Sequence, residues 1–295
     1  MKVGICYTKR ATDAVLWTAA FHTGVLAAGD EAVEILHPDD ISHLKSCDYT
    51  FQVCAADFSS SYDSNLRRLV QSRSDKAIIL DVGIVKSGKD TPFKERYAGI
   101  YLNNVKQWGV YWGHQPSDRW EKLNIKTPEW RKDGDHILVL GQTPHGVGIT
   151  NIASRDIFKW SNATLKTIRQ FTDRKIIYKA HPVQRKMPKS VKNCEMIGAD
   201  FGYNLKSLLD GAWCTVASAS NGACDSILAG VPVITDNSMS LAYEVAEHDI
   251  RNIEQPRTPC IHQWLNDIAY AQWRIDEMKS GETWNFIKKE VFNGT

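Results

Sequence analysis

Three short stretches in the second half of the chain carry groups suited to an anion. They read GQTPHGVG (Gly141–Gly148), KAHP (Lys179–Pro182) and SASNG (Ser218–Gly222). Each follows an apolar run rich in β-branched residues, so each falls at the carboxyl end of an expected strand. In SASNG, Ser220 or Asn221 can cap the helix that starts there, and Gly222 leaves the backbone open to a ligand. The unpaired amides and the positive end of the helix dipole then suit a phosphate. A plain capped helix in an α/β domain would use the same residues. GQTPHGVG brings Gly141, Gln142 and His145 to the same edge, where an ordinary strand-to-helix loop is the alternative. Lys179 and His181 add a cation and an imidazole. Pro182 stops the strand and holds His181 extended, aimed outward, although a strand-end histidine is often structural. Asp225, in the first turn of the helix, either complements the helix N-terminus or accepts hydrogen bonds from a ribose. Amides for a diphosphate, cations for its charge and a carboxylate for a diol together describe a nucleotide-diphosphate-sugar site, with Ser218 at the strand end beside it.

Other chemistries lack their residues. Between Gly4 and Gly29 there is no GxGxxG, and the chain has no Walker A motif, which speaks against a dinucleotide dehydrogenase or a P-loop kinase. The seven cysteines show neither CxxC nor Cys/His spacing, so reduced thiols, a cytoplasmic setting and no structural zinc are expected. The formal net charge is +2, too small to announce a nucleic-acid partner by itself. No apolar run is long enough to span a bilayer, and the N-terminus lacks the apolar region of a signal peptide.

The elements that must position these residues follow from periodicity. Val3–Tyr7, Ala32–Leu36, Asp48–Ala55 and Ala77–Val82 read as strands, with helices over residues 11–28 and 59–72. Alternation of this kind indicates a doubly wound parallel sheet. From Gly83 to Asp135 the periodicity fades among aromatic and basic residues, including Trp108 and Trp112. These rings are either satellite core or a surface that stacks on a sugar or a base. A second α/β series begins at His136. His136–Leu140, Lys175–Lys179, Trp213–Ala217 and Val231–Thr235 read as strands. Ser154–Phe171, Asn204–Leu209, Leu241–Glu247, Ile261–Met278 and Glu282–Phe292 read as helices. The domains expected are 1–134 and 135–295, with a ligand cleft between them.

The run YKAHP followed by LKSLLDGAWCTVASASNGACDSILAGVPVI resembles the carboxyl-terminal half of GT-B glycosyltransferases of the capsule-polysaccharide type. The chain is also similar to short phage-encoded glycosyltransferases, some of which act on hydroxymethylated pyrimidines in DNA. SDRWEKLNI and PEWRKDGDHILVLGQ support this more loosely. One departure is Asp225, which stands where the capsule-type pattern has Glu. The resemblance implies two Rossmann-like domains, the last helix crossing back to the first. It implies a nucleotide-sugar co-substrate, a UDP-sugar, held by the second domain, with no metal and no resident cofactor. If the chain is phage-encoded, its setting is the cytoplasm of an infected host. An inverting transfer needs a base to deprotonate the acceptor hydroxyl, and Asp81, at the end of its strand, and Asp13, at the start of its helix, are the candidates. A double-stranded DNA acceptor would be held at its phosphates by Lys86, Lys89, Lys94 and Arg96, with a flipped base among the aromatic side chains. A surface polysaccharide is the alternative acceptor. A sugar-nucleotide epimerase and a non-catalytic nucleic-acid or glycan binding protein on the same scaffold are the rival readings.

Overall fold

The computed structural model describes residues 1–7, 12–36, 38–53, 77–86, 91–102, 114–142, 157–182, 184, 186–199 and 204–292. It divides into two compact units, residues 1–119 with 265–295, and residues 120–264.

The first unit opens with β1 (Lys2–Cys6), α1 (Thr12–Ala27) and β2 (Glu31–Ile35). Gly29, at φ 79, ends α1 in the left-handed conformation that closes helices. β3 (Tyr49–Val53), β4 (Ala77–Val82) and β5 (Tyr97–Leu102) follow. The helix expected over residues 59–72 lies outside the described residues. β2, β1, β3 and β4 are parallel neighbours, as the alternating pattern requires. The sheet is nevertheless mixed, because β5 runs antiparallel to β4. A parallel return needs a crossover, usually a helix. Between these strands the described residues form only the three-residue 3-10 turn Phe93–Glu95.

The chain then forms α2 (Asp118–Leu123), β6 (His136–Leu140), α3 (Ile157–Phe171), β7 (Lys175–Lys179) and β8 (Cys194–Ile197). After α4 (Leu205–Leu209) come β9 (Ala212–Val216), α5 (Gly222–Leu228) and β10 (Val233–Ile234). These five strands make one parallel sheet in the order β10-β9-β6-β7-β8. One face packs Ile137, Val139, Ile176 and Tyr178 against Leu165 and Ile168 of α3. The helix expected over Leu241–Glu247 is only a 3-10 turn, Tyr243–Val245. Strand pairing explains this: the backbone of Glu247 bonds to Val233 and Thr235, which leaves it unavailable to a helix.

The last stretch differs most from the sequence expectation. Ile261–Met278 is three elements rather than one helix: α6 (His262–Tyr270), β11 (Gln272–Arg274) and α7 (Ile275–Lys279), with α8 (Glu282–Phe292) after them. β11 joins the edge of the first sheet, antiparallel to β5. Arg119 explains the break. Its guanidinium donates to the carbonyls of Ala269 (3.1 Å) and Gln272 (3.0 Å), both of which a continuous helix would use. It also grips Glu277 through two bonds (2.7 and 3.1 Å) and lies 3.9 Å above the Trp273 ring. Trp273 and Trp284 then complete the core formed by Val3, Ile5, Phe21, Phe51 and Ile78.

This docking requires α1 to approach α7 closely. A Cβ on Gly24 would stand 1.9 Å from the backbone oxygen of Met278, and Gly281 (φ 86) meets the Gly24 carbonyl in turn. Helix propensity alone would make Gly24→Ala stabilising by about 1 kcal/mol. The close approach reverses the sign. Gly24→Ala is expected to lower unfolding stability by about 1–3 kcal/mol, the usual range for overpacking, as read by urea denaturation. A variant as stable as the parent would show that the helices do not meet here.

Candidate functional site

The three stretches singled out by sequence follow three adjacent strands of the second sheet, β9, β6 and β7, at their carboxyl ends. Ligands of open parallel sheets sit beyond that edge. Side-chain amides tie the turns together. Gln142 Oε1 accepts the amide of Ala219 (3.3 Å), joining the β6 turn to the β9 turn. On the other side, the Gly141 amide donates to the carbonyl of Lys179 (2.8 Å).

Gln184 fixes the turn that carries His181. Its Oε1 accepts the His181 amide (3.3 Å), and its own amide donates to the His181 carbonyl (2.8 Å). Its Nε2 donates to the Tyr178 hydroxyl (3.0 Å) and to the carbonyl of Lys186 (2.8 Å). The Tyr178 hydroxyl is buried against Ser161 of α3 (3.1 Å). Gly141 is there because nothing larger fits: a Cβ would lie 2.5 Å from Gln184 Oε1 and 2.7 Å from the Tyr178 hydroxyl.

A fourth strand end joins the set. After β10, Thr235 Oγ1 donates to the carbonyl of Ser218 (2.8 Å), and Asn237 Nδ2 donates to Ser218 Oγ (2.9 Å). Ser218 is therefore a buried brace, 1% exposed. Sequence reasoning missed Gln184, Thr235 and Asn237. Asn237 and Thr235 follow a strand end as the other turns do, and that placement was the available signal.

Of the two capping candidates in the SASNG turn, Ser220 is the one engaged. Asn221 is the residue before α5, but its side chain makes no capping bond; Ser220 Oγ accepts the Gly222 amide instead (3.3 Å). Packing also requires glycine at position 222. A Cβ there would meet Leu140 at 2.8 Å and Leu205 at 3.2 Å.

Two titratable groups are tuned. Burial lowers the pKa of His181, and the nearby Lys179 charge lowers it further. The imidazole is thus neutral at pH 7, able to donate from one nitrogen and accept at the other. The Lys179 ammonium donates to the carbonyls of Ala180 (3.3 Å) and Gly198 (3.1 Å), beside β8. Asp225 is open to solvent on one side and backed by protein on the other. Desolvation raises its carboxyl to about 6. His145 lies outside the described residues.

In the first unit, Asp81 sits near the end of β4, half-buried and opposite Gly99 of β5. By strand alternation it shares a face with Ala77 and Ile79, whereas α1 packs on the face of Ile78 and Leu80. Asp13, exposed on α1, pairs with Arg96 (3.3 Å). Arg96 also donates to the carbonyl of Thr91 (2.7 Å), so folding contacts already engage this proposed phosphate ligand. Lys86 and Lys94 are exposed. Lys89, Trp108 and Trp112 lie outside the described residues. The loop after β4 is held from the C-terminal segment, for Gln272 Oε1 accepts the amides of Ile84 (2.9 Å) and Val85 (3.1 Å). Among the described residues no three His, Cys, Asp or Glu side chains gather to hold a metal, and no helix is long and apolar enough to cross a membrane.

No known family profile matches the chain, and no curated protein matches it in sequence. Solved structures do match. KpsC, the beta Kdo 2,7 transferase of Thermosulfurimonas dismutans, superposes with a TM-score of 0.51 at 14% identity, over 98% of this chain and 99% of that one. The beta Kdo 2,4 transferase of the same KpsC superposes with a TM-score of 0.51 at 13% identity, over 93% and 92%. The chain therefore has the GT-B fold of these transferases, as its sequence motifs imply.

The raised Asp225 pKa gives a pH test. A carboxyl whose folded pKa exceeds its unfolded value favours folding fully only while protonated. That contribution is lost as pH rises through about 6. Asp225→Asn should therefore melt with the parent at about pH 4 and above it at about pH 7.5. A melting difference that does not change with pH would mean that this carboxyl titrates normally.

Proposed function

We propose that the protein is a metal-independent glycosyltransferase. It takes a sugar from a nucleotide-diphosphate donor, a UDP-sugar, and passes it to a hydroxyl acceptor. One observation carries the reading: four neighbouring strand ends brace one another, one carrying His181 and one leading into the helix that bears Asp225. Such bracing positions polar groups at the edge where open parallel sheets bind ligands. The neutral His181 hydrogen-bonds the leaving phosphate, amides of the Ser218–Gly222 turn add to it, and Asp225 accepts from the ribose. These hydrogen bonds strengthen as charge develops on the leaving diphosphate.

Asp81 is the proposed base. Asp13 is the weaker candidate because it is exposed and already paired with the Arg96 guanidinium. The acceptor reading is hydroxymethylated pyrimidine in double-stranded DNA. A surface polysaccharide is the second reading, favoured by the fold shared with the KpsC Kdo transferases.

A thermal-shift panel of nucleotides and nucleotide sugars tests the donor. A ligand at a hundredfold excess over Kd stabilises the native state by about 2.7 kcal/mol. His181→Ala should lose most of that shift while melting as a folded protein. A parental shift in this variant would remove His181 from the site. For the chemical step, Asp81→Asn should keep donor affinity and slow transfer by about 10²–10⁴. Transfer at the parental rate would move the proton to another group.

A further inference from the structure

The charge of this chain is segregated. Residues 157–194 hold ten Lys or Arg and one acid, Asp173, while the other 257 residues hold 26 Lys or Arg against 33 Asp or Glu. A net charge of +2 hides a strongly basic segment. That segment is α3, β7 and the loop leading into β8.

The arginines and lysines in it divide by role. Arg169 donates to the carbonyls of Thr172 (2.7 Å) and Arg174 (3.0 Å). Arg174 pairs with Glu254 (3.0 Å) and lies 4.6 Å over the Trp213 ring. Lys175 pairs with Glu195 (2.5 Å), and Lys179 is turned onto carbonyls. Lys166, Lys186, Lys189 and Lys192 are exposed and have no ion pair among the described residues. Lys159 is exposed one stripe along α3, seven residues before Lys166.

The lysines are brought together by the fold. The buried side of α3 is Ser161, Thr164, Leu165 and Ile168, which puts Lys159 and Lys166 on its outer face. The loop before β8 runs along the flank of the same helix. The Lys189 amide donates to Asn162 Oδ1 (2.7 Å), and Arg169 reaches the Asn193 carbonyl (3.4 Å) one end further on. Lys186 continues the face toward the candidate site, because Gln184 holds both its carbonyl and the His181 amide.

We infer that this face binds the sugar-phosphate backbone of double-stranded DNA. It is formed by Lys159 and Lys166 of α3 with Lys186, Lys189 and Lys192 of the adjoining loop. Among the described residues of the segment the exposed cations are all lysines, compact point charges that suit an evenly charged phosphate backbone. Among the described residues the planar forks that would select individual carboxylates belong to Arg169 and Arg174, and both are engaged in folding contacts. This moves phosphate holding from the first unit, where Arg96 is already paired, to the second. It gives the DNA-acceptor reading its partner surface, and it can be tested without any sugar transfer.

The test is fluorescence anisotropy of a labelled DNA duplex across a salt series, with no donor present. The parent should bind with an affinity that falls steeply with salt. The triple variant Lys166→Gln, Lys189→Gln, Lys192→Gln should bind weaker by about tenfold or more at low salt. Its slope of log affinity against log salt should be shallower by about one for each phosphate that the variant no longer neutralises. These side chains are exposed, so the melting temperature and the nucleotide-sugar thermal shift should stay parental. Parental affinity and slope in the triple variant would overturn the inference. So would a carboxylated polysaccharide that displaces the duplex at equal charge and itself depends on the three lysines. If nucleotide sugars fail to bind while the lysine-dependent duplex binding holds, the transferase reading falls and this surface stands.

Discussion

The first unit depends on one close approach of backbones. With no Cβ at Gly24, the carbonyl of Met278 can reach α1, and the segment from α6 to α8 can lie on a sheet made by the opposite end of the chain. Much follows from that approach. Trp273 and Trp284 become core residues, 2% and 0% exposed. β11 covers the outer edge of β5, so that an open strand edge is paired within the chain rather than left for association. Gln272, wholly buried, then supplies the acceptor for two amides of the loop after β4. An unpaired buried amide costs about 1–3 kcal/mol. The C-terminal segment thus fixes the loop that follows the strand carrying Asp81.

The second unit is organised by carboxamides. Gln142, Gln184 and Asn237 each stand after a strand; Gln142 and Asn237 bind a neighbouring turn, and Gln184 closes its own. A carboxamide can donate and accept at once, which lets one side chain close two ends of a loop. Gln184 does so for the His181 turn, over a floor made by Tyr178 and Ser161. Such satisfied buried networks favour a single arrangement, because any alternative leaves polar groups unpaired. This is the property a binding edge needs if its ligand must meet groups already in place.

Arginine and lysine do different work here. Arg119, Arg169 and Arg174 all direct their forks onto carbonyls, carboxylates or aromatic faces within a unit. Exposed lysines carry the outward charge of α3 and its adjoining loop. Buried or half-buried guanidinium groups keep their charge and bond several partners in a plane. The ammonium groups of lysine stay hydrated on flexible stems. A field is therefore presented to solvent by one residue type while the framework beneath is held by the other.

Sequence by itself determined the parallel strands of both sheets except β8, the start of α5 and the three turns at the second sheet's edge. β4, β6 and β7 appear with the boundaries read from the apolar runs, since a buried parallel strand needs a continuous apolar stretch and little else. The pattern could not show β11. Its three residues have no periodicity of their own, and they become a strand because Arg119 takes the carbonyls a helix would need while β5 offers a free edge. Nor could it show why Gly141, Gly222 and Gly24 are glycine. Local sequence shows only that a residue lacks a side chain. Which atoms occupy the space that a side chain would take is settled by residues distant in sequence: Gln184 and Tyr178, Leu140 and Leu205, and Met278. Tertiary structure decided those positions because steric exclusion acts between segments that meet only after folding.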